Sequence, residues 1–285
     1  MQRREFEFSG VGRIRIRGKA WLTDEPPVAV VIIVHGAAEH CGRYEHVAAR
    51  LNAAHYAVYA INHRGHGRSG GRRGNIGRFA WLVADLQTLV ERTRQAHPAL
   101  PILMVGHSMG GAIALGYALA HPLAITALAL SAPALSMGEF VPWWQVRLVR
   151  LLSAIAPGLG VLTLPAIAVS RDPSVVKAYD EDPLVYRGAV PARSLAELAG
   201  AMGNLTQHAA ELRMPVLIQH GTGDTLVPLA GNRLIYERLG STDKTLLLYE
   251  GLYHEIFNEP EQGRVLDDLL AWLGKHLADG GAPTL

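Results

Sequence analysis

Six short apolar runs, rich in β-branched residues, recur along the chain: VAVVIIVH, YAVYAINH, PILMVGH, ALALSAP, MPVLIQHG and KTLLLYEG. No other feature of the sequence restricts the fold so sharply. A strand that is apolar at successive positions, rather than alternate ones, is covered on both faces. Parallel sheets sandwiched between helices are where such strands belong. The stretches YEHVAARLNAAH, FAWLVADLQTLVERTRQAH and GGAIALGYALAHP supply helices between them, and EPEQGRVLDDLLAWLGKHL supplies a last one. The opening differs, because Phe6, Phe8, Val11, Ile14 and Ile16 fall between polar residues. That pattern predicts an antiparallel hairpin with one wet face. The predicted class is α/β: a mostly parallel central sheet flanked by helices.

The alternation breaks between Pro133 and His208 and resumes at MPVLIQHG. This divides the chain into a first core part over 1–132, an inserted, mainly helical cap over 133–208 and a second core part over 209–285. Within the insertion, RLLSAIAPGLGVLTLPAIAVSR carries no charge between Arg150 and Arg171. Twenty uncharged residues are long enough to span a bilayer, but Pro157, Gly158, Gly160 and Pro165 interrupt any helix of that length. In PWWQVRLVRLLSAI, residues Trp144, Leu148, Leu151, Leu152 and Ile155 recur at helical spacing, with Arg147 and Arg150 off that face. The segment therefore reads as an amphipathic roof over a pocket, with Leu151 and Leu152 as candidate acyl-chain contacts. Its outer side suits peripheral contact with lipid headgroups. The plainer alternative is that the whole face packs on the core.

Composition removes several classes of function. Of 285 residues, 49% are apolar and 18% charged, which is globular rather than disordered. A net charge of +2 gives no basis for binding nucleic acid. Cys41 is the sole cysteine, so no internal disulfide forms. The opening MQRREFEFSGVGRIRIRG has no apolar core of a secretory signal, and a cytoplasmic or peripherally membrane-associated protein is expected. The pairs His35/His40 and His63/His66 lack a carboxylate or cysteine at metal-ligand spacing, so no metal is expected. The glycine-rich NHRGHGRSGG reads instead as a loop over the site.

The chemistry concentrates in GHSMGG, residues 106–111, which follows the run PILMV and opens a helix of small residues. A G-x-S-x-G pattern between strand and helix places its serine on a tight, strained turn, where small neighbours let the two elements approach closely. Ser108 is the candidate nucleophile. A serine hydroxyl needs a base, and an acid and a histidine are expected to follow in that order. Asp224 in HGTGDTLVP and His254 in EGLYHEIFNEP each lie just past a predicted strand, at the edge where a parallel sheet collects its site. Asp243 precedes its strand, and His220 and Glu255 lack the position of the chosen pair. The tetrahedral oxyanion needs two backbone donors, for which the N–H groups of Met109 and Ala37 are the candidates.

Taken together, HGAAEHCGRY, RGHGRS, GHSMGG, SAP, DPL, HGTGDTLVP and LYEGLYHEIFNEPE resemble the monoacylglycerol lipases of the α/β-hydrolase fold, in that order and over nearly the whole chain. The resemblance implies Ser108, Asp224 and His254 as the triad and Ala37 and Met109 as oxyanion donors, with no cofactor. It further implies Glu39 and Arg43 as residues lining the polar, glycerol-binding end of the pocket. Two departures stand out: Phe257 occupies the place of a second histidine found in the mammalian enzymes, and their extra pocket cysteines are absent apart from Cys41. The expected reaction is hydrolysis of a monoacylglycerol, or a similar single-chain lipid ester, to fatty acid and alcohol. Within the same chemistry the alternative is a broader carboxylesterase or lysophospholipase. From another class it is a non-catalytic lipid-binding protein on the same scaffold.

Overall fold

The structure is a computed structural model describing residues 1–136 and 143–278. Eight strands form one sheet. An opening hairpin, β1 (Gln2–Ser9) and β2 (Arg15–Leu22), pairs antiparallel through a register running from Gln2 opposite Leu22 to Ser9 opposite Arg15. The next four strands are β3 (Ala29–Val34), β4 (Tyr56–Ile61), β5 (Ile102–His107) and β6 (Ala127–Ser131). A short antiparallel pair, β7 (Gly160–Leu162) and β8 (Val190–Pro191), stands apart from the sheet. Strands β9 (Val216–Gly221) and β10 (Lys244–Tyr249) complete it in the order β1-β2-β4-β3-β5-β6-β9-β10. All pairs from β4 to β10 are parallel. The six apolar runs are therefore the six parallel strands, and the alternating segment is the hairpin at the edge.

Among the described residues eight α-helices accompany the strands: α1 (Glu45–Ala53), α2 (Phe79–Ala96), α3 (Met109–Ala120), α4 (Trp143–Ile155), α5 (Pro173–Glu181), α6 (Ala192–His208), α7 (Leu229–Arg238) and α8 (Gln262–Ala278). The side-chain period of two in β3 shows how the layers form. Val30, Ile32 and Val34 pack with Leu82, Leu86 and Leu89 of α2 and Ile113 and Leu115 of α3. Val31 and Ile33 pack with Val47 and Leu51 of α1 and with Val265, Leu266, Leu269 and Leu273 of α8 on the opposite face. Both faces of the strand are dry, which is why its sequence shows no alternation.

The uncharged run from Arg150 to Arg171 is divided among three elements. Helix α4 ends at Ile155, two residues before Pro157; β7 follows, and a short 3₁₀ turn spans Ala166–Ala168. Among the described residues no helix is long and apolar enough to cross a membrane. Between β6 and β9 the chain thus forms α4, β7, α5, β8 and α6. Helix α6 packs on α4 and also on α2 and α3, and its Leu205 joins the interior beneath the sheet.

The connection from β3 leads to β4 on one side and that from the adjacent β5 leads to β6 on the other, so the winding reverses between β3 and β5. A crevice opens at the carboxyl ends of strands at such a switch point. The loops after β3, β5, β9 and β10 meet there.

Candidate active site

Ser108 caps α3 with φ 53° and ψ −122°, a conformation that side-chain-bearing residues rarely adopt. The strain is held from both sides by close backbone approach. A Cβ at Gly106 would lie 2.7 Å from the Gly110 carbonyl oxygen, and one at Gly110 would lie 2.0 Å from the Val34 carbonyl oxygen. The Ser108 N–H donates to the Ser131 carbonyl at 3.0 Å, fixing the turn to β6. Met109 is the first residue of α3, so its N–H is among the donors that a helix start leaves without an intrahelical partner.

The loop after β3 runs directly against this turn. A Cβ on Gly36 would sit 3.1 Å from Ser108 Cβ, so the loop that carries Ala37 passes against the serine. The loop is shaped by Ala38, whose φ is 66°. It is also braced by Glu39, whose Oε1 accepts the Gly36 N–H at 2.6 Å and the Tyr44 hydroxyl at 2.7 Å. Asn62, Arg64 and His66 of the glycine-rich loop lie buried behind it, and the His63 N–H donates to His35 Nε2 at 3.0 Å. His35 Nδ1 in turn donates to the Gly36 carbonyl at 2.8 Å. Of the histidine pairs, His35 and His66 each hold a backbone carbonyl through Nδ1 and His40 bonds Asp182, whereas neither ring nitrogen of His63 has a hydrogen-bond partner among the described residues. No group of three or more potential ligands for a metal exists among the described residues.

Asp224 and His254, on the loops after β9 and β10, are joined by a 2.7 Å hydrogen bond from His254 Nδ1 to Asp224 Oδ2. The other Asp224 oxygen accepts the backbone N–H groups of Leu226 and Val227 at 2.8 and 3.0 Å. On the far side His220 Nε2 lies 3.3 Å from Oδ2 while Asn232 donates to His220 Nδ1 at 2.7 Å. Burial disfavours the Asp224 charge, but hydrogen bonds from His220 and His254 outweigh it and hold the carboxyl well below its usual range. With Nδ1–H committed to Asp224, the lone pair of His254 belongs to Nε2. The His254 ring lies 4.8 Å, centroid to centroid, from that of His107, the residue before Ser108. Asp243, by contrast, sits at the opposite end of its strand and bonds His276 Nε2 at 3.0 Å.

Glu39 and Arg43, the polar-end candidates, come together in a buried cluster. Arg43 Nη1 donates to Glu39 Oε2 at 3.1 Å, and its two Nη groups donate in parallel to the two oxygens of Glu255, Nη2 at 2.6 Å. Burial pushes the Glu39 carboxyl up to about 7 despite the Arg43 charge. The side chains of both acids face protein donors. Sequence reasoning passed over Glu255 as a mere neighbour of His254. The available signal was a charge between His254 and the apolar pair Ile256–Phe257, since a carboxylate in such company is buried only with a partner.

Leu151 and Leu152 part company in the structure. Leu152 lines a cavity of about 530 Å³ together with Trp144, Leu148, Val161, Leu162 and Leu195, whereas Leu151 is 56% exposed and lies outside that lining.

The sequence profile of the serine aminopeptidase S33 hydrolases matches residues 25–261. The monoacylglycerol lipase of Mycolicibacterium smegmatis is 46% identical over 96% of this chain and 98% of its own length. The human monoglyceride lipase is 32% identical over 92% of this chain and 87% of its own. The crystal structure of the Paleococcus ferrophilus monoacylglycerol lipase superposes with a TM-score of 0.83 at 33% identity, covering 92% of this chain and 99% of that one. The strained serine turn, the histidine–carboxylate bond and these likenesses lead to one assignment: the chain is a hydrolase of the serine aminopeptidase S33 family, on the α/β-hydrolase fold, and belongs to its monoacylglycerol lipases.

Proposed function

We propose that this hydrolase cleaves monoacylglycerols to free fatty acid and glycerol through an acyl-enzyme on Ser108. The observation that carries the reading is the 2.7 Å bond between His254 Nδ1 and Asp224 Oδ2, on loops that converge at the Ser108 turn. In this reading His254 Nε2 takes the Ser108 proton as Oγ attacks the ester carbonyl, and Asp224 fixes the tautomer and stabilises the imidazolium. The N–H groups of Ala37 and Met109 receive the oxyanion. His254 then returns the proton to the departing glycerol oxygen, and water repeats the sequence to free the acid.

The substrate class rests on the relatives' named activity, and the apolar cavity at α4, lined by residues of the 133–208 insertion alone, is read as a place for the acyl chain. We read residues 133–208 as a cap over the site, of which 137–142 lie outside the described residues. Burying about a dozen methylenes at roughly 0.8 kcal/mol each gives a gross gain near 10 kcal/mol, enough for a greasy cavity to select an acyl chain. Trp144, Leu148, Leu151 and Ile155 leave large apolar surface exposed on α4, which suits peripheral contact with a lipid surface. The test is a panel of monoolein, a lysophospholipid and a short aryl ester on purified protein, alongside fluorophosphonate labelling. Cleavage of monoolein with label on Ser108 is expected. Labelling elsewhere, or turnover retained by Ser108→Ala, overturns the triad, and preference for the lysophospholipid overturns the glyceride.

A further inference from the structure

Arg43 touches two carboxylates that belong to different loops of the site. Glu39, on the loop after β3, holds the Gly36 N–H one residue before Ala37, and Glu255 directly follows His254. All three side chains are at least nine-tenths buried, at 3%, 10% and 5% exposure for Glu39, Arg43 and Glu255. The cluster is further fixed at its rim. Asn258 Nδ2 donates to Glu255 Oε2 at 2.9 Å, the Glu255 N–H donates to the Val169 carbonyl at 2.8 Å, and the Tyr179 ring lies 4.8 Å from the guanidinium.

We infer that Glu39, Arg43 and Glu255 form a positioning clamp that holds the Ala37 donor and the His254 ring at their working separation around Ser108. The inference rests on the reading of those three residues given above. Both oxygens of Glu39 accept from protein donors, and both terminal nitrogens of Arg43 donate to carboxylates, so the clamp is built to act through its neighbours. Stability alone does not account for it. Buried ions are costly to desolvate, and packed apolar residues of the same volume are often as stable or more so. Two carboxylates around one cation are costlier still, and the upward shift of the Glu39 carboxyl reflects that burial. A bidentate guanidinium fork, however, fixes both distance and angle between the groups it joins. Transition-state stabilisation is sensitive to such placement, a 1 Å error costing up to about 10²-fold in rate.

The test uses Glu255→Gln, Glu39→Gln and the double variant, assayed on a water-soluble short-chain ester and by the rate of fluorophosphonate labelling. Each single change is expected to lower kcat and the labelling rate about tenfold or more, with KM moving less than about threefold. Because both carboxylates act through Arg43, the double variant should fall little below the worse single one. Glu255→Gln with kcat within twofold of wild type, losses carried by KM, or losses that simply multiply would each overturn the clamp. If Glu255→Gln does not fold, Asn258→Ala, which removes one bond to Glu255, decides: a two- to threefold fall in kcat at unchanged KM supports it, and no change overturns it. Failure of the underlying reading looks different, since wild-type protein would then not label at Ser108 at all.

Discussion

His40 Nε2 lies 2.8 Å from Asp182 Oδ2, tying the DPL turn after α5 to the loop after β3. His40 Nδ1 accepts the Gly42 N–H at 3.1 Å, so Nε2 carries the proton, and burial lowers the tendency of the ring to take a second one. Asp182 also accepts the Leu184 N–H at 2.7 Å, while the Tyr186 N–H donates to the Ala38 carbonyl at 2.7 Å. Asp182→Ala removes two of these three ties. It should cost roughly 1.5–3 kcal/mol, the range for a hydrogen bond to a charged group. Denaturant melts read the loss, and limited proteolysis should open first between residues 143 and 208. A stability within about 0.5 kcal/mol of wild type would show that the turn is held by packing instead.

The positive φ of Ser108 leads to a stability–function trade-off. Glycine adopts that backbone without steric conflict, and a sparsely populated conformation costs a side-chain-bearing residue of order 1–3 kcal/mol. Ser108→Gly should therefore abolish turnover while raising the melting temperature by roughly 2–4 °C per kcal/mol recovered. Ser108→Ala, which retains a Cβ, should lose activity without that gain. A glycine variant less stable than the alanine one would contradict the strain argument. Gly110→Ala is the opposite case, since its Cβ would meet the Val34 carbonyl oxygen at 2.0 Å, and soluble folded protein is not expected.

Much of this was legible in the sequence, and the boundary has a physical cause. Strand β3 announces itself because both its faces are buried, and GHSMGG because the turn tolerates few residues at its glycines. The order Ser108, Asp224, His254 could be read because each lies at a strand's carboxyl end. The Glu39–Arg43–Glu255 cluster could not, since it joins loops separated by 212 residues and no local pattern encodes that pairing. The fates of Leu151 and Leu152 diverge for a similar reason. Helical spacing assigns both to one apolar face, but only contact with β7 and α6 decides which of them lines a cavity.

Acid should unfold the protein through its buried histidines. His63 and His107 are pushed down to about 3 and His66 to about 4 from an ordinary 6.5, chiefly by burial. Neither ring nitrogen of His63 has a hydrogen-bond partner among the described residues. The folded state keeps these rings neutral while the unfolded chain protonates them. Their contribution is therefore intact above about pH 6.5 and is lost as pH falls toward 3–4. Each ring adds about 1.4 kcal/mol of lost stability per pH unit within that window. Urea melts at pH 7, 6 and 5 measure the slope, and His63→Asn should flatten it by about one proton. An unchanged slope in that variant would assign the acid sensitivity to other groups.

Leu152 lies in the wall of the cavity between α4 and α6 and Leu151 on the surface, so the proposed chain-length selection and the proposed lipid contact can be tested apart. A carboxylate at 152 sets a charge against Trp144, Leu148 and Leu195, where an acyl chain would otherwise exclude water. Losing the burial of a few methylenes costs about 0.8 kcal/mol each, so two or three of them correspond to roughly 10- to 60-fold in kcat/KM. Leu152→Glu should show that deficit on long-chain monoacylglycerols below their aggregation threshold and little of it on a butyrate ester. Leu151→Glu should lose less on the dissolved long-chain substrate and more on substrate presented in vesicles, because its side chain faces outward. Equal losses from the two changes on dissolved substrate, or a Leu152→Glu deficit independent of chain length, would mean that the cavity between α4 and α6 does not receive the acyl chain.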